Sequence, residues 1–187
     1  MIVERATGAA ITRYVDALAA LRLAVFREPP YRYDGDLAYE RRYLASYASS
    51  PDALVVVAIE GDRVVGASTA LPLLAHGDDV VPPLARAGYD PARVYYFGES
   101  VLEPAYRGRG LGARFFVERE ARARELGYAT AAFCAVERPD HRGDYALWHR
   151  AGFVRRPDIV GEMSWRDVGD RDETAKPMVF WTKEFAP

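Results

Sequence analysis

The chain has 187 residues, half of them apolar and 12% aromatic, and its 25 basic and 27 acidic side chains give a net charge of −2. This apolar content argues against disorder, and the length is enough to bury a core without cross-links. The near-neutral charge argues against a nucleic-acid partner, which usually demands a clear basic excess. The single cysteine, Cys134, excludes an intramolecular disulfide framework.

Neither a membrane span nor a secretory signal is expected. The longest unbroken apolar run covers residues 53–59, whereas a membrane helix needs about 20 residues. The N-terminus has no basic segment followed by a long apolar run. His76 and His149 have no neighbours at metal-ligand spacing, so we predict no metal site. We expect one cytoplasmic domain over residues 1–187, without a membrane partner.

Strand-like and helix-like segments alternate along the first half of the chain, which predicts an α/β fold. A short strand at 2–5 precedes an amphipathic helix over 9–26, and a second helix is expected over 36–47. Two β-branched runs, 53–59 and 64–71, flank a Gly-Asp turn and predict a hairpin.

The second half opens with an irregular segment over 75–93, rich in Gly, Asp and Pro. The elements after it are a strand at 94–102, a long helix at 108–126, a strand at 129–136, a short helix at 144–151, a strand that begins at 153 and a last strand at 178–185. The order strand, glycine-rich turn, helix, strand over 94–136 is a βαβ unit, whose two strands should be parallel.

The turn inside this unit carries the chemistry. Its sequence is Arg107-Gly108-Arg109-Gly110-Leu111-Gly112. Glycines let the backbone approach a ligand closely, and the first amides of a helix lack internal partners. The helix dipole favours an anion at that end, so the turn predicts a bound phosphate or pyrophosphate.

Two familiar phosphate motifs do not fit this turn. No Gly-Lys-Ser/Thr follows, which excludes a P-loop, and glycines at 108, 110 and 112 do not give the dinucleotide spacing G-x-G-x-x-G. An RG-rich loop that contacts RNA is the alternative, but the turn lies within a βαβ unit and no further RG repeats occur.

The remaining pattern, Arg-x-x-Gly-x-Gly, is preceded by Val101-Leu102-Glu103-Pro104 and followed by Trp148-x-x-x-Gly152-Phe153. It resembles the GNAT superfamily of N-acetyltransferases. Two further segments, Tyr96-Phe97-Gly98-Glu99-Ser100 and the tail Lys-Pro-Met-x-Phe-Trp, are similar to those of bacterial members with unassigned substrates. The resemblance implies a mixed, mostly antiparallel sheet that splays at a central parallel strand pair and is flanked by helices.

The same resemblance implies a site for acetyl-CoA as co-substrate. Arg107, Gly108, Arg109, Gly110, Leu111 and Gly112 would hold the pyrophosphate. The backbone of Val101 and Leu102 would pair with the pantetheine arm and place the thioester in the splay. His141 and Trp148 occupy positions that contact this arm in the family, although a surface location is the alternative for His141.

Acetylation of an amine requires a neutral nitrogen. Deprotonation of an amine of pKa ~10.4 costs about 4–5 kcal/mol at pH 7. Glu99 is the candidate general base. Family members often carry the base at positions that match Tyr96 or Gly98, and strand alternation turns Glu99 away from that face unless the strand bulges. The alternative for Glu99 is a charged partner that positions the substrate or an arginine.

The leaving thiolate is protonated by a tyrosine in many family members, but this chain has Trp148 there. An indole N–H is no useful acid. Tyr145, one helical turn earlier, is the candidate replacement. Alternatively no protein acid is needed, because a thiol of pKa ~8.5 leaves tolerably as thiolate.

The acceptor side is rich in tyrosine. Tyr31 and Tyr33 are the candidate lining residues, and aromatic rings there could surround a cationic amine. For Tyr39, Tyr43 and Tyr47 we favour packing of the second helix on the sheet.

The sequence therefore predicts direct acetyl transfer from acetyl-CoA to a primary amine, preferably of a small molecule. Cys134 is expected in the core, which argues against an acetyl-cysteine intermediate. A transferase of longer acyl groups and a non-catalytic acyl-CoA sensor are the alternatives. Homodimers are common in the superfamily.

Overall fold

The computed structural model describes residues 1–77, 79–140 and 145–186. Its strands are β1 Ile2–Thr7, β2 Leu54–Glu60, β3 Arg63–Pro72, β4 Val94–Leu102, β5 Thr130–Val136, β6 Val154–Arg166 and β7 Glu173–Glu184. They form one sheet in the order β1-β2-β3-β4-β5-β7-β6. Only β4 and β5 are parallel; the other neighbours are antiparallel.

Helices cover both faces of this sheet. They are α1 Val15–Phe26, α2 Leu37–Ser49, α3 Val81–Arg86, α4 Leu111–Glu125 and α5 Ala146–Arg150. α1 and α2 pack on one face, and α4 packs on the other. The predicted fold class is thus confirmed. No helix in the described part of the chain is both long and apolar enough to cross a membrane.

The continuous apolar run of β2 reflects burial on both faces. Val55 and Val57 belong to the core under α1 and α2, whereas Leu54 and Val56 pack against Leu111 of α4. A strand covered on both sides has no reason to alternate apolar and polar residues.

The parallel pair splays, as predicted. β4 and β5 pair only through Val94, Tyr95 and Tyr96, which lie opposite residues 130–132. Beyond Tyr96 the two strands diverge, and the gap between them opens toward the start of α4.

A β-bulge changes the faces of β4. Ser68 lies opposite Ser100 and Ala70 lies opposite Phe97, so β4 has one residue more than β3 across this interval. The amide of Glu99 donates to Thr69 Oγ1 at 3.2 Å there. Because of the extra residue, Glu99 turns to the α1 face, on which Tyr96 also packs.

Two predicted elements differ in the structure. The helix expected over 9–26 begins as a 3-10 turn at Gly8–Tyr14, and α1 itself starts at Val15. The C-terminal strands are longer than the prediction, which began the last strand only at 178: β6 has 13 residues and β7 has 12. β6 lies at the sheet edge and shifts register around Pro157. Its sequence is polar and contains a proline, so the length of the strand could not be predicted from the pattern of apolar residues.

Candidate active site

One cleft of about 680 Å³ passes through the gap between β4 and β5. On the α1 face it is lined by the group that we call the Glu99 chamber: Arg22, Tyr43, His76, Tyr96 and Glu99. On the α4 face it is lined by the group that we call the α4 channel: Gly112, Phe116, Arg119, Phe133 and Trp148. The cleft therefore connects the predicted base with the start of α4.

The glycine turn has the backbone of an anion site. Gly108 and Gly110 have φ of +74° and +81°, the left-handed region that side chains disfavour. A Cβ at either position would meet no atom within 4 Å, which leaves room for a ligand. α4 begins at Leu111 with no acidic residue in its first turn, so its free amides face no competing carboxylate of that turn.

Arg107 and Arg109 flank this turn. Arg107 Nε donates to Leu102 O at 3.2 Å, and its Nη2 donates to Glu28 Oε2 at 2.9 Å. The guanidinium of Arg109 lies 5.0 Å from the centre of the Tyr106 ring. Arg107 also lines the cleft, so it is placed between β4 and the turn.

The backbone of β4 distinguishes the two residues predicted to pair with pantetheine. Glu103 donates its amide to Val65 O of β3 at 3.0 Å. Because backbone groups alternate between the two sides of a strand, Val101 also directs its amide and carbonyl to β3, whereas Leu102 directs them to the open edge. The geometry therefore favours Leu102 and disfavours Val101 as the backbone partner.

Glu99 is held by an ion pair but keeps one oxygen free. Its Oε2 lies 2.6 Å from Arg22 Nη1 and accepts from the Tyr43 hydroxyl at 3.3 Å. Its Oε1 is buried and has no hydrogen-bond partner among the described residues. The residue is 7% exposed and lines the cleft, so Oε1 is a polar atom available to a ligand there.

Arg22 joins two carboxylates. Its Nε donates to Glu40 Oε2 at 2.5 Å, and Glu40 is fully buried. Burial disfavours the charge on Arg22, but Glu99, Tyr43 and Glu40 outweigh it and raise the pKa of the guanidinium. This Arg22–Glu40–Glu99 cluster fixes the orientation of Glu99.

The two family positions for the base hold no carboxylate here. A Cβ at Gly98 would lie 2.4 Å from Thr69 Oγ1 and 2.5 Å from the Tyr47 hydroxyl, so no side chain fits. The Tyr96 hydroxyl lies 3.0 Å from Cys134 Sγ. Burial raises the pKa of the Cys134 thiol to about 12, which keeps it protonated and weakly nucleophilic at neutral pH.

His76 completes this chamber. Its ring lies edge-on to Tyr96, with the centroids 4.6 Å apart. Burial lowers the pKa of His76, and its Nδ1 has no hydrogen-bond partner in the described part of the chain. Sequence reasoning considered this histidine only as a metal ligand. Among the described residues, no group of three His, Cys, Asp or Glu side chains could hold a metal ion.

The candidate acid lies on the other side of the splay. Tyr145 and Trp148 both line the cleft, with their rings stacked at 4.9 Å and both in contact with Trp181. The structure thus brings Tyr145 to the mouth of the α4 channel. His141 lies outside the described residues.

Tyr31 and Tyr33 line the cleft at the end of α1. Their loop is attached to the end of β6: Asp34 donates its amide to Arg166 O at 2.9 Å, and Arg138 Nη2 bonds Tyr31 O and Asp167 Oδ1. Among the other tyrosines, Tyr47 is buried as expected and Tyr43 is half-buried at the cleft. Tyr39 is 51% exposed, so the expectation that it packs α2 on the sheet was wrong.

Known proteins share this architecture. A ribosomal-protein-alanine N-acetyltransferase from Brucella melitensis has a TM-score of 0.65 and 17% identity, over 99% of this chain and 100% of that one. Aminoglycoside 6'-acetyltransferase type Ii has a TM-score of 0.62 and 18% identity, over 100% and 99%. Salmonella typhimurium yncA, solved with its cofactor acetyl-CoA, has a TM-score of 0.59 and 15% identity, over 97% and 93%.

These identities establish the fold alone. No curated protein matches the chain in sequence. The model of the acetyltransferase (GNAT) family matches residues 17–153. The chain therefore belongs to the GNAT acetyltransferase family, and the predicted superfamily is confirmed.

Proposed function

We propose that the protein transfers an acetyl group from acetyl-CoA to the primary amine of a small molecule, by direct attack in a ternary complex. The observation that carries this proposal is the single cleft that joins the glycine turn to the free Oε1 of Glu99 through the splayed strands. Donor and acceptor can enter from opposite faces of the sheet and meet in the gap.

The donor end has the groups that CoA requires. The open left-handed positions Gly108 and Gly110 and the first amides of α4 would hold the pyrophosphate. The outward backbone of Leu102 would pair with pantetheine as an added strand would. The structural neighbour yncA, solved with acetyl-CoA, supports this choice of ligand.

The acceptor end suits a cationic amine. The ammonium group would lie among the tyrosines and donate to Glu99 Oε1, which accepts the proton before or during attack. The nitrogen then forms its bond to the thioester carbon, the carbon–sulfur bond breaks, and the second proton that the nitrogen loses passes to solvent. Arg22 keeps the carboxylate in place because it binds the other oxygen.

The departing sulfur leaves as thiolate or takes a proton from Tyr145, the hydroxyl nearest in position to the family tyrosine. The protonated thiol of Cys134 supports direct transfer rather than an acetyl-cysteine step. The aromatic walls of the α4 channel, formed by Phe116, Phe133 and Trp148, support a short acyl group over a long apolar chain.

The test combines calorimetric titration with acetyl-CoA and an amine panel monitored for thiol release. We expect Glu99→Gln to bind acetyl-CoA normally and to lose about 10²–10⁴-fold in kcat. The matched control is Glu103→Gln, because Glu103 lies outside the cleft and pairs with Arg63 at 2.6 Å. Full activity is expected for that control.

Two results would contradict the proposal in different ways. Absence of binding by any CoA ester would overturn the assignment of the glycine turn. Binding without thiol release from any amine would favour a non-catalytic acyl-CoA sensor, in which Glu99 serves only as the partner of Arg22.

A further inference from the structure

Arg119 is a buried arginine that forms no ion pair with any carboxylate in the described part of the chain. Its side chain belongs to α4 and is 2% exposed. Its Nε donates to Phe115 O at 3.2 Å, and none of the described carboxylates lies within ion-pair distance. Burial lowers the pKa of the guanidinium to about 9, so the group is still charged at neutral pH. Buried charges are costly unless they are paired.

Aromatic rings hold the guanidinium in place. Its central carbon lies 4.4 Å from the centre of the Phe97 ring and 4.8 Å from that of Phe116. These contacts stabilise the cation in part. They leave its terminal nitrogens without a hydrogen-bond acceptor among the described residues, and Arg119 lines the cleft.

The position of Arg119 corresponds to the acyl end of the donor. It lies eight residues after Leu111, which at 1.5 Å per residue is about 12 Å from the start of α4. α4 runs back along β4, and Phe97, its ring partner, directly follows Tyr96, where the strands separate. A pantetheine arm that begins at the glycine turn would place its thioester at this depth.

Four buried charges around the cleft balance one another as long as no substrate is bound. Arg22 and Arg119 are the cations, and Glu40 and Glu99 are the carboxylates. An ammonium acceptor with an acetyl donor would leave one excess positive charge. A neutral thioester carbonyl does not compensate this charge, whereas a carboxylate on the acyl group does.

We propose that Arg119 binds a carboxylate carried by the acyl group, so that the protein accepts short carboxyacyl-CoA donors of the malonyl or succinyl type as well as acetyl-CoA. This inference rests on the proposed function. The reaction is unchanged: the amine nitrogen bonds to the acyl carbon, the carbon–sulfur bond breaks, CoA leaves as thiolate, one proton of the ammonium group goes to Glu99 and the other passes to solvent. The acyl carboxylate remains intact and bonded to Arg119 Nη atoms.

The acceptor is a less suitable source of this carboxylate. Arg119 belongs to the α4 face, whereas the tyrosines and Glu99 belong to the α1 face. Using one amine acceptor without a carboxylate throughout the assay removes the acceptor from the comparison.

The first measurement uses the unmodified protein. We expect succinyl-CoA to bind about tenfold or more tightly than acetyl-CoA, because a charge-assisted bond to a buried guanidinium is strong. Equal binding of the two esters would overturn the inference and leave the proposed function standing. No binding of any CoA ester would overturn both.

The second measurement compares donors in Arg119→Met, with Arg114→Met as control. Arg114 belongs to the same helix but is exposed and pairs with Glu118 at 2.5 Å. We expect the ratio of kcat/KM with succinyl-CoA to kcat/KM with acetyl-CoA to fall about tenfold or more in Arg119→Met and to stay unchanged in Arg114→Met. Equal losses with both donors would overturn the inference in favour of a contact to the thioester carbonyl.

Discussion

The Glu99 chamber and the α4 channel each contain a buried arginine, in opposite electrostatic situations. Arg22 binds two carboxylates, and its pKa is raised despite burial. Arg119 has no carboxylate partner among the described residues, and burial lowers its pKa to about 9. Burial alone therefore does not decide how a guanidinium behaves; its counter-ions do.

Because of this difference, the charge of Arg22 has a structural role, whereas the charge of Arg119 is available to a ligand. In the chamber, Arg22 is bound by the protein itself and positions Glu99. In the channel, aromatic rings hold Arg119 while its terminal nitrogens lack protein acceptors in the described residues. The charge of Arg22 is paired within the protein, whereas in the channel the proposed acyl carboxylate would pair with Arg119.

The largest effect is expected on stability when the two arginines are replaced in turn. Arg22→Met would leave the buried carboxylates of Glu40 and Glu99 without a cation, at a cost of about 3–5 kcal/mol in unfolding free energy at pH 7.5. Arg119→Met removes an unpaired charge and should cost much less. Urea denaturation of both variants measures the difference.

The pH dependence of Arg22→Met gives a second check. Protonation of one of the two carboxyl groups would remove one of the two negative charges and restore the net charge of −1 that the cluster has in wild type. The deficit relative to wild type should therefore be smaller at pH 5 than at pH 7.5. Equal deficits for Arg22→Met and Arg119→Met, without pH dependence, would mean that both arginines act only through packing.

The next effect concerns donor binding at the start of α4. Gly110→Glu would place a Cβ where φ is +81° and a carboxylate where the helix amides attract an anion. We expect its affinity for CoA to fall by about 100-fold or more in calorimetric titration.

Gly88→Glu is the matched control for that variant. Gly88 also has a positive φ, of +90°, and a Cβ there meets no atom within 4 Å. Gly88 does not line the cleft, so the control carries the same backbone strain without a charge at the anion site. Similar affinities for the two variants would show that strain, and not the site, accounts for any loss.

The backbone of the glycine turn could be predicted from sequence because its signal is local. The glycines, the helix start and the preceding strand are contiguous, and each restricts the backbone by itself. The sequence also predicted both sides of the splay, since a βαβ unit requires parallel strands.

The chamber could not be predicted in the same way. Glu99 reaches the α1 face only because β4 has one extra residue opposite Thr69. The residue types at that position do not predict a bulge. Its partner Arg22 comes from a distant helix, where it is one arginine among many. Arg119 likewise cannot be told from Arg122 and Arg124 of the same helix by sequence, because only the packing in the folded protein shows that it is buried.

The smallest effect is expected at His76. Burial lowers its pKa, so as the pH falls through about 6.5 the unfolded chain takes up a proton more readily than native His76 does. Wild type should therefore lose stability between pH 7.5 and pH 5.5 relative to His76→Gln, by no more than about 1.4 kcal/mol. Urea denaturation at both pH values gives this difference, in which the other titrating groups cancel.

His149→Gln is the control for the loss of a histidine, because His149 is exposed and lies outside the Glu99 chamber. If His76→Gln had the same pH dependence as wild type, native His76 would take up its proton as readily as the unfolded chain does, and the chamber would gain a cation beside Arg22. An ammonium acceptor would then meet repulsion at Glu99 in mild acid. A neutral His76 instead leaves Arg22 and its two carboxylates to set the charge of the chamber, as the proposed binding of an amine by Glu99 requires.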